Sequence, residues 1–85
     1  MITDKFKGYN SNGAKVTLTT RAADSYSMAV ITNSDLGGHA LVVPVGSGDK
    51  ARFKLSVSKY MRPVDTSYWT NGDSAIQAAI DSMTP

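Results

Sequence analysis

The ten residues ARFKLSVSKY, at positions 51–60, alternate apolar and polar side chains more regularly than the rest of the chain. Side chains of a β-strand point alternately to its two sides, so the stretch predicts a strand with two different faces. The apolar row consists of Ala51, Phe53, Leu55 and Val57. The other row consists of Arg52, Lys54, Ser56, Ser58 and Tyr60. We expect the apolar row to lie in a core and the basic, hydroxyl-rich row to face outward.

The rest of the chain also favours strands. It has 85 residues, and its seven acidic residues are all Asp. Glu is a good helix former, whereas Asp prefers turns and caps. Turn-forming clusters recur at short intervals, as they do between antiparallel strands. We therefore predict a mainly β fold, a single small antiparallel sheet of about five strands, with an N-terminal hairpin first and one short C-terminal α-helix.

This fold makes residues 1–85 a single domain, with the hairpin at 1–20, the sheet at 26–60 and the helix at 74–83. Within the sheet, strands are predicted at 26–32, 39–45 and 51–60. The middles of the first two are apolar on both sides, which suggests that both sheet faces are covered. Pro44 lacks a backbone N–H, so its strand is expected at an edge or at a bulge. Residues 61–72 are predicted to be irregular, or a short last strand around Tyr68 and Trp69.

The N-terminal hairpin is predicted to turn at Ser11–Gly13. A three-residue loop with Gly13 in the left-handed conformation pairs Phe6 with Leu18 and keeps apolar residues together on one side. A two-residue loop shifts the register by one residue and exchanges the faces. The pattern therefore favours the three-residue loop.

The C-terminal helix is predicted from a capping pair and an apolar stripe. Ser74 and Gln77 have the spacing of a capping box, with Ser74 as the N-cap. Ile76, Ala79, Ile80 and Met83 follow at helical spacing. So short a helix is not stable alone, so it is expected to dock on its own sheet or on a neighbouring subunit.

Motifs with catalytic chemistry are weak. GSGDK at 46–50 resembles a phosphate loop, but Asp49 and Ala51 flank Lys50 where the motif requires Gly and Ser or Thr. Ser56 and Lys59 have the Ser-x-x-Lys spacing of a nucleophile and its base, but they fall on opposite faces of the predicted strand and so cannot act together. The chain has no cysteine, and its one histidine is His39. We predict that the protein is not an enzyme and that it holds no metal and no cofactor.

The strongest positive signal is charge. Five basic residues and no acidic residue occur between positions 50 and 62, although the net charge of the whole chain is only +2. Phosphate groups attract such a surface, hydroxyls add hydrogen bonds, and an aromatic ring can stack on a base. The alternative is an ordinary solvated strand face. The predicted nucleic-acid-binding residues are Lys50, Arg52, Lys54, Ser56, Ser58, Tyr60 and Arg62.

Self-association is the second expectation. A chain of this length buries only about 60–65% of its unfolded surface and has no disulfides to add stability. Small domains of this kind commonly gain further stability by associating with copies of themselves. Trp69 is interpreted either as a core residue beneath the helix or as a contact residue for a partner. The predicted oligomer interface consists of Tyr68, Trp69, Ile76, Ile80 and Met83.

The order of these elements resembles that of small bacteriophage virion proteins, and in part that of the coat proteins of single-stranded RNA phages. The resemblance rests on the hairpin at Ser11–Gly13, the basic strand Ala51–Tyr60 and the helix Ala75–Met83. It implies a sheet whose basic face meets the genome, and C-terminal helices that interlock two copies.

Three functions remain open from the sequence. The first is a self-associating virion subunit with a basic face towards RNA or DNA. The second is a stand-alone nucleic-acid-binding module, and the third is a small inhibitor or regulator that docks through Trp69 and the helix. The sequence shows no signal peptide and no membrane span, which predicts a soluble protein of the virion or the cytoplasm without a membrane partner.

Overall fold

The structure of the chain is a computed structural model that describes residues 2, 5–20 and 27–84. It consists of one antiparallel sheet and one α-helix. The strands are β1 (Asn10–Ser11), β2 (Ala14–Thr20), β3 (Ser27–Asn33), β4 (Gly38–Val45), β5 (Arg52–Lys59) and β6 (Arg62–Trp69), and the helix is α1 (Gly72–Ser82). The strands lie side by side in sequence order. This confirms the mainly β fold with a C-terminal helix, with six strands. The first residue of the strand predicted over 26–32 lies outside the described residues.

Helix α1 packs on one face of the sheet and closes the core. Cross-strand pairing of Val16 with Ile31 and of Ala40 with Val57 brings these side chains to the same face, where they are buried. The helix contributes its predicted apolar stripe and Ala75. Ile76, Ala79, Ile80 and Met83 are each at most 3% exposed. The helix therefore docks on its own sheet.

Strand β5 keeps the predicted faces. Leu55 and Val57 are buried under the helix, and Phe53 packs half-buried against the same core. The strand ends at Lys59, because Tyr60 and Met61 form a two-residue turn with positive φ angles of 52° and 67°. Tyr60 consequently leaves the row in which the alternation placed it.

The N-terminal hairpin turns in the register that the sequence argument rejected. Asn10 pairs with Lys15 and Ser11 with Ala14, which leaves a two-residue loop of Asn12 and Gly13. Both loop residues have positive φ, as the turn type that suits a tight hairpin requires. Extended along the chain, this register pairs Lys7 with Leu18 and mixes polar with apolar residues, but β1 contains only two residues and that pairing does not form.

The last strand is longer than predicted. Residues 62–69 pair with Phe53–Lys59 of β5, with one irregularity, instead of forming a short or irregular segment. Val57 pairs with Asp65 and Ser58 with Pro63, so Val64 is an extra residue in a β-bulge. The bulge accommodates a proline at the edge of the sheet, and this irregularity hid the strand from the alternation argument.

Pro44 lies in a strand with neighbours on both sides, but at a local edge. The pairing of β4 with β3 extends only to Val42, whereas its pairing with β5 continues to Val45. The missing N–H of Pro44 therefore costs no hydrogen bond to β3.

Helix α1 begins two residues earlier than predicted, and its N-cap is Asn71 rather than Ser74. The Asn71 side chain accepts a hydrogen bond of 3.0 Å from the backbone N–H of Ser74. Asn and Ser are equally good N-caps, so the place where the helix can begin determines which of the two residues is the cap. Asn71 is the cap because the chain leaves β6 only two residues before it.

The other end of the helix is tied to the sheet by Asn33. This side chain is 1% exposed, and its amide nitrogen donates to the carbonyl oxygen of Met83. Its amide oxygen accepts from the backbone N–H of Asp35 at 3.0 Å and so caps the 3₁₀ turn between β3 and β4. One buried amide thus joins the helix end to that turn.

Candidate nucleic-acid interface

The sheet has a second face, turned away from α1, which we call the open face. Within the described ranges, no helix or further strand packs on it. Its exposed or half-buried side chains follow from the pairing register. They are Lys15, Thr17, Met28, Val30, Thr32, His39, Leu41, Val43, Val45, Arg52, Lys54, Ser56, Ser58, Thr66 and Tyr68. The prediction that strands 26–32 and 39–45 are covered on both faces therefore does not hold in the described structure.

One row of the open face combines a cation with an aromatic ring. Lys54 pairs with Val43 on one side and with Tyr68 on the other. Lys54 is half-buried, whereas Tyr68 is 62% exposed. The register therefore places an accessible phenol ring beside an ammonium group and the apolar side chain of Val43. Proteins that bind single-stranded nucleic acid combine cations for the phosphates with aromatic rings for the bases.

Arg52 lies at the end of the same strand. Its Nη1 atom donates to the carbonyl oxygens of Ala51, at 2.7 Å, and of Asp49, at 3.2 Å. These bonds hold the guanidinium beside the loop that precedes β5. An arginine carries five N–H donors on three nitrogens, so the loop engages only part of its capacity.

The centre of the open face is uncharged. Ser56 pairs with Leu41, which pairs in turn with Val30, and all three are half-buried. Ser58 pairs with His39. The predicted hydroxyl row is therefore present, but apolar side chains lie next to it.

The remaining predicted basic residues lie elsewhere. Lys50 is in the 3₁₀ turn Gly48–Lys50, before the strand begins. Lys59 lies on the helix side of β5 by alternation and pairs with Arg62 across the Tyr60–Met61 turn. Of the seven predicted binding residues, the open face brings together Arg52, Lys54, Ser56 and Ser58.

The carboxylates of the described residues lie off the open face, on the helix side of the sheet or in turns. Asp65 pairs with the core residue Val57 and so lies on the helix side, and Asp73 and Asp81 belong to the helix itself. Asp35 and Asp49 lie in turns. Among the described residues, the open face holds two lysines, an arginine and a histidine but no carboxylate. This distribution depends on the register of five strand pairs, so no single stretch of the chain predicts it.

The residues predicted for the oligomer interface separate into two groups. Ile76, Ile80 and Met83 are in the core of the chain itself and present no side-chain surface to a second copy. Trp69 is half-buried against the same core, and its Nε1 donates to Oγ of Ser67 at 2.8 Å. Only Tyr68 is well exposed. For the inhibitor hypothesis, Trp69 thus offers a half-buried ring, and the helix offers its polar outer face rather than its apolar stripe.

Exposed apolar side chains concentrate instead on the β5–β6 hairpin. Five large hydrophobic side chains of the described residues are exposed, and four belong to this hairpin. They are Tyr60 at 67%, Met61 at 93%, Val64 at 58% and Tyr68 at 62%. Strand β6 forms an edge of the sheet, with β5 as its one strand neighbour in the described part of the chain. Unpaired strand edges readily pair with another chain.

Comparison of this chain with protein-family models, with curated proteins and with solved structures finds no match. The described residues contain no group of His, Asp or Glu side chains placed to hold a metal ion. They also contain no helix with the length and apolar character that crossing a bilayer requires.

Proposed function

We propose that this chain is a non-enzymatic structural subunit that self-associates and binds single-stranded nucleic acid on its open face. A small phage capsid or virion is the assembly that fits both properties best. The observation that carries the proposal is the distribution of charge: among the described residues, the open face holds cations without carboxylates, and the carboxylates lie on the helix side of the sheet or in turns. A nucleic acid is the polyanion that fits such a face, because each phosphate that the face neutralises releases the counterions bound to the nucleic acid.

The cross-strand row of Val43, Lys54 and Tyr68, which we call the Lys54 row, is the proposed centre of the contact with nucleic acid. Lys54 and Arg52 attract the phosphates, and Tyr68 offers a ring on which a base stacks. In the sequence argument Tyr60 was to supply the stacking ring. Tyr68 replaces it, since Tyr60 lies in the turn while Tyr68 is the cross-strand neighbour of Lys54. A single strand fits better than a duplex, because stacking on Tyr68 requires an unpaired base.

The β6 edge is the proposed contact between copies. Beyond Pro63 and the bulge at Val64, its residues 65–69 offer a line of backbone groups, and the exposed apolar side chains of the β5–β6 hairpin border it. A second copy fits this edge because two identical strands can pair antiparallel about a two-fold axis. Such pairing continues the open face from one copy into the next. Two linked faces bind one strand of nucleic acid more tightly than either face alone.

Neutralising Lys54 tests the nucleic-acid contact. Lys54→Gln is expected to weaken binding of a single-stranded oligonucleotide and to reduce the slope of log affinity against log salt by about 0.7, the value for one phosphate contact. The matched control is Lys59→Gln, which removes the same charge from the same strand on its other side. Fluorescence anisotropy over a salt series measures both. Equal slopes for the two variants would show that net charge, not the open face, drives binding.

The stand-alone binding module remains the second candidate, since the open face by itself favours it. The two functions differ in oligomeric state. A module binds nucleic acid as a monomer, whereas a structural subunit associates through β6.

A further inference from the structure

A cavity of about 500 Å³ lies at the end of the open face opposite to Arg52. The turns that join β1 to β2, β3 to β4 and β5 to β6 all lie at this end, because a meander reverses its direction at each turn. The cavity is lined by Asn10, Gly13, Lys15, Thr32, Ser34, Gly37, Gly38, His39 and Met61. None of the predicted binding residues is among them.

The lining has the chemistry of an anion site. Lys15 and His39 both pair with Thr32, one from each side, so an ammonium and an imidazole flank a hydroxyl in a single cross-strand row. Ser34 adds a second hydroxyl. No Asp lines the cavity, although Asp35 follows Ser34 directly in the chain. These groups offer hydrogen-bond donors to an anion without a carboxylate to repel it.

The cavity lies at a defined distance from the Lys54 row. His39 precedes Val43, the neighbour of Lys54, by four residues of β4. Four residues of a strand span roughly 13 Å. Between the two rows lie the half-buried side chains of Val30, Leu41 and Ser56. The open face therefore has a cationic region at each end and an apolar centre.

We propose that the cavity is a second phosphate-binding site of the open face, for a phosphodiester group of the same single strand that contacts Lys54. The strand crosses the sheet from the Lys54 row to the Lys15–His39 row, and its intervening bases lie on Val30 and Leu41. This proposal rests on the proposed function and specifies how the nucleic acid lies on the face. It adds Lys15, Thr32 and His39 to the binding residues.

The length of the bound strand gives the test. An oligonucleotide too short to span roughly 13 Å reaches one cationic region only, whereas a longer one reaches both. For a ten-nucleotide oligothymidylate we expect Lys15→Gln to lower the affinity several-fold and the salt slope by about 0.7. For a dinucleotide we expect Lys15→Gln to bind like wild type at the Lys54 row. The control is Lys7→Gln, which removes an exposed lysine from the N-terminal turn that precedes β1.

A second measurement needs no variant. In ¹H–¹⁵N NMR spectra, the ten-nucleotide oligomer is expected to shift the amide signals of Thr32, Gly38 and His39, and the dinucleotide is not. Loss of affinity for Lys15→Gln that merely equals the loss for Lys7→Gln, with these amide signals unmoved, would overturn the second site while the Lys54 contact stands. A wild-type chain that binds neither oligonucleotide would overturn the proposed function and this site with it.

Discussion

At the scale of single residues, Asn33 and Gly38 lie where the C-terminal end of α1 meets the sheet. Asn33 reads as one more polar residue in the turn cluster NSDLGG, yet it is buried and bonded at both ends of its amide. Gly38 is similar. A Cβ atom there would lie 2.8 Å from the carbonyl oxygen of Ser58 and 3.2 Å from Sδ of Met83. These roles come from contacts between segments distant in sequence, so local pattern could not reveal them.

Replacing Asn33 by Ala is expected to lower the free energy of unfolding by about 1–3 kcal/mol. The variant removes the donor to Met83 and the acceptor for Asp35, and it leaves a buried backbone group without a partner. Urea unfolding followed by circular dichroism measures the loss. The control is Thr32→Val at the exposed neighbouring position, where the new side chain has nearly the shape of the old one. Its free energy of unfolding is expected to stay within about 0.5 kcal/mol of wild type. Equal stabilities of the two variants would contradict the tie between helix and sheet.

At the scale of elements, the sequence predicted what a regular pattern encodes and missed what an irregularity hides. The alternation of β5 and the helical stripe of α1 were correctly predicted, because burial on one side fixes both periods. Strand β6 was underestimated, since Pro63 and the bulge at Val64 break its alternation. The register of the first hairpin was wrong because the argument extended β1 over residues that lie in a turn.

In the β5–β6 turn, the backbone conformation is one that the residues present do not favour. Tight hairpin turns with two positive φ angles favour Asn and Gly, and this one has Tyr60 and Met61. The left-handed conformation costs an ordinary residue about 1–2 kcal/mol. Strained backbone conformations of this kind cluster at functional sites. The high exposure of both side chains is consistent with a role of this turn in contacts between copies.

Met61→Gly is accordingly expected to raise the free energy of unfolding by about 1 kcal/mol, because glycine adopts a φ of 67° without strain. Met61→Ala is the matched control. It removes the same exposed side chain but retains the Cβ atom, so its stability is expected to stay near that of wild type. Thermal and urea unfolding of both variants measure the difference. An alanine variant as stable as the glycine variant would show that the turn is unstrained.

At the scale of the whole molecule, the basic surface is smaller and better defined than the run of basic residues at positions 50–62 predicts. Of the five basic residues in that run, Lys54 and Arg52 lie on the open face in neighbouring cross-strand rows, while Lys50, Lys59 and Arg62 lie off it. The structure compensates with Lys15, His39 and Tyr68, which come from other strands. A sheet face is assembled across strands, so no single segment predicts its composition.

The helix also changes the picture of assembly. The resemblance to single-stranded RNA phage coat proteins implies helices that interlock two copies, whereas α1 covers its own sheet. The proposed contact therefore moves to β6. A charge placed on an edge strand opposes edge-to-edge pairing. Val64→Lys is thus expected to weaken self-association, and Tyr9→Lys, a charge on the only exposed large apolar side chain described outside the β5–β6 hairpin, serves as its control.

Sedimentation velocity of the purified protein, recorded at 260 and 280 nm, reports self-association and bound nucleic acid in one experiment. We predict a boundary heavier than the 9.1 kDa chain, with an absorbance ratio above that of protein alone, for wild type and for Tyr9→Lys. We predict a shift towards the monomer for Val64→Lys. A wild-type boundary at 9.1 kDa with the absorbance ratio of free protein would contradict the account.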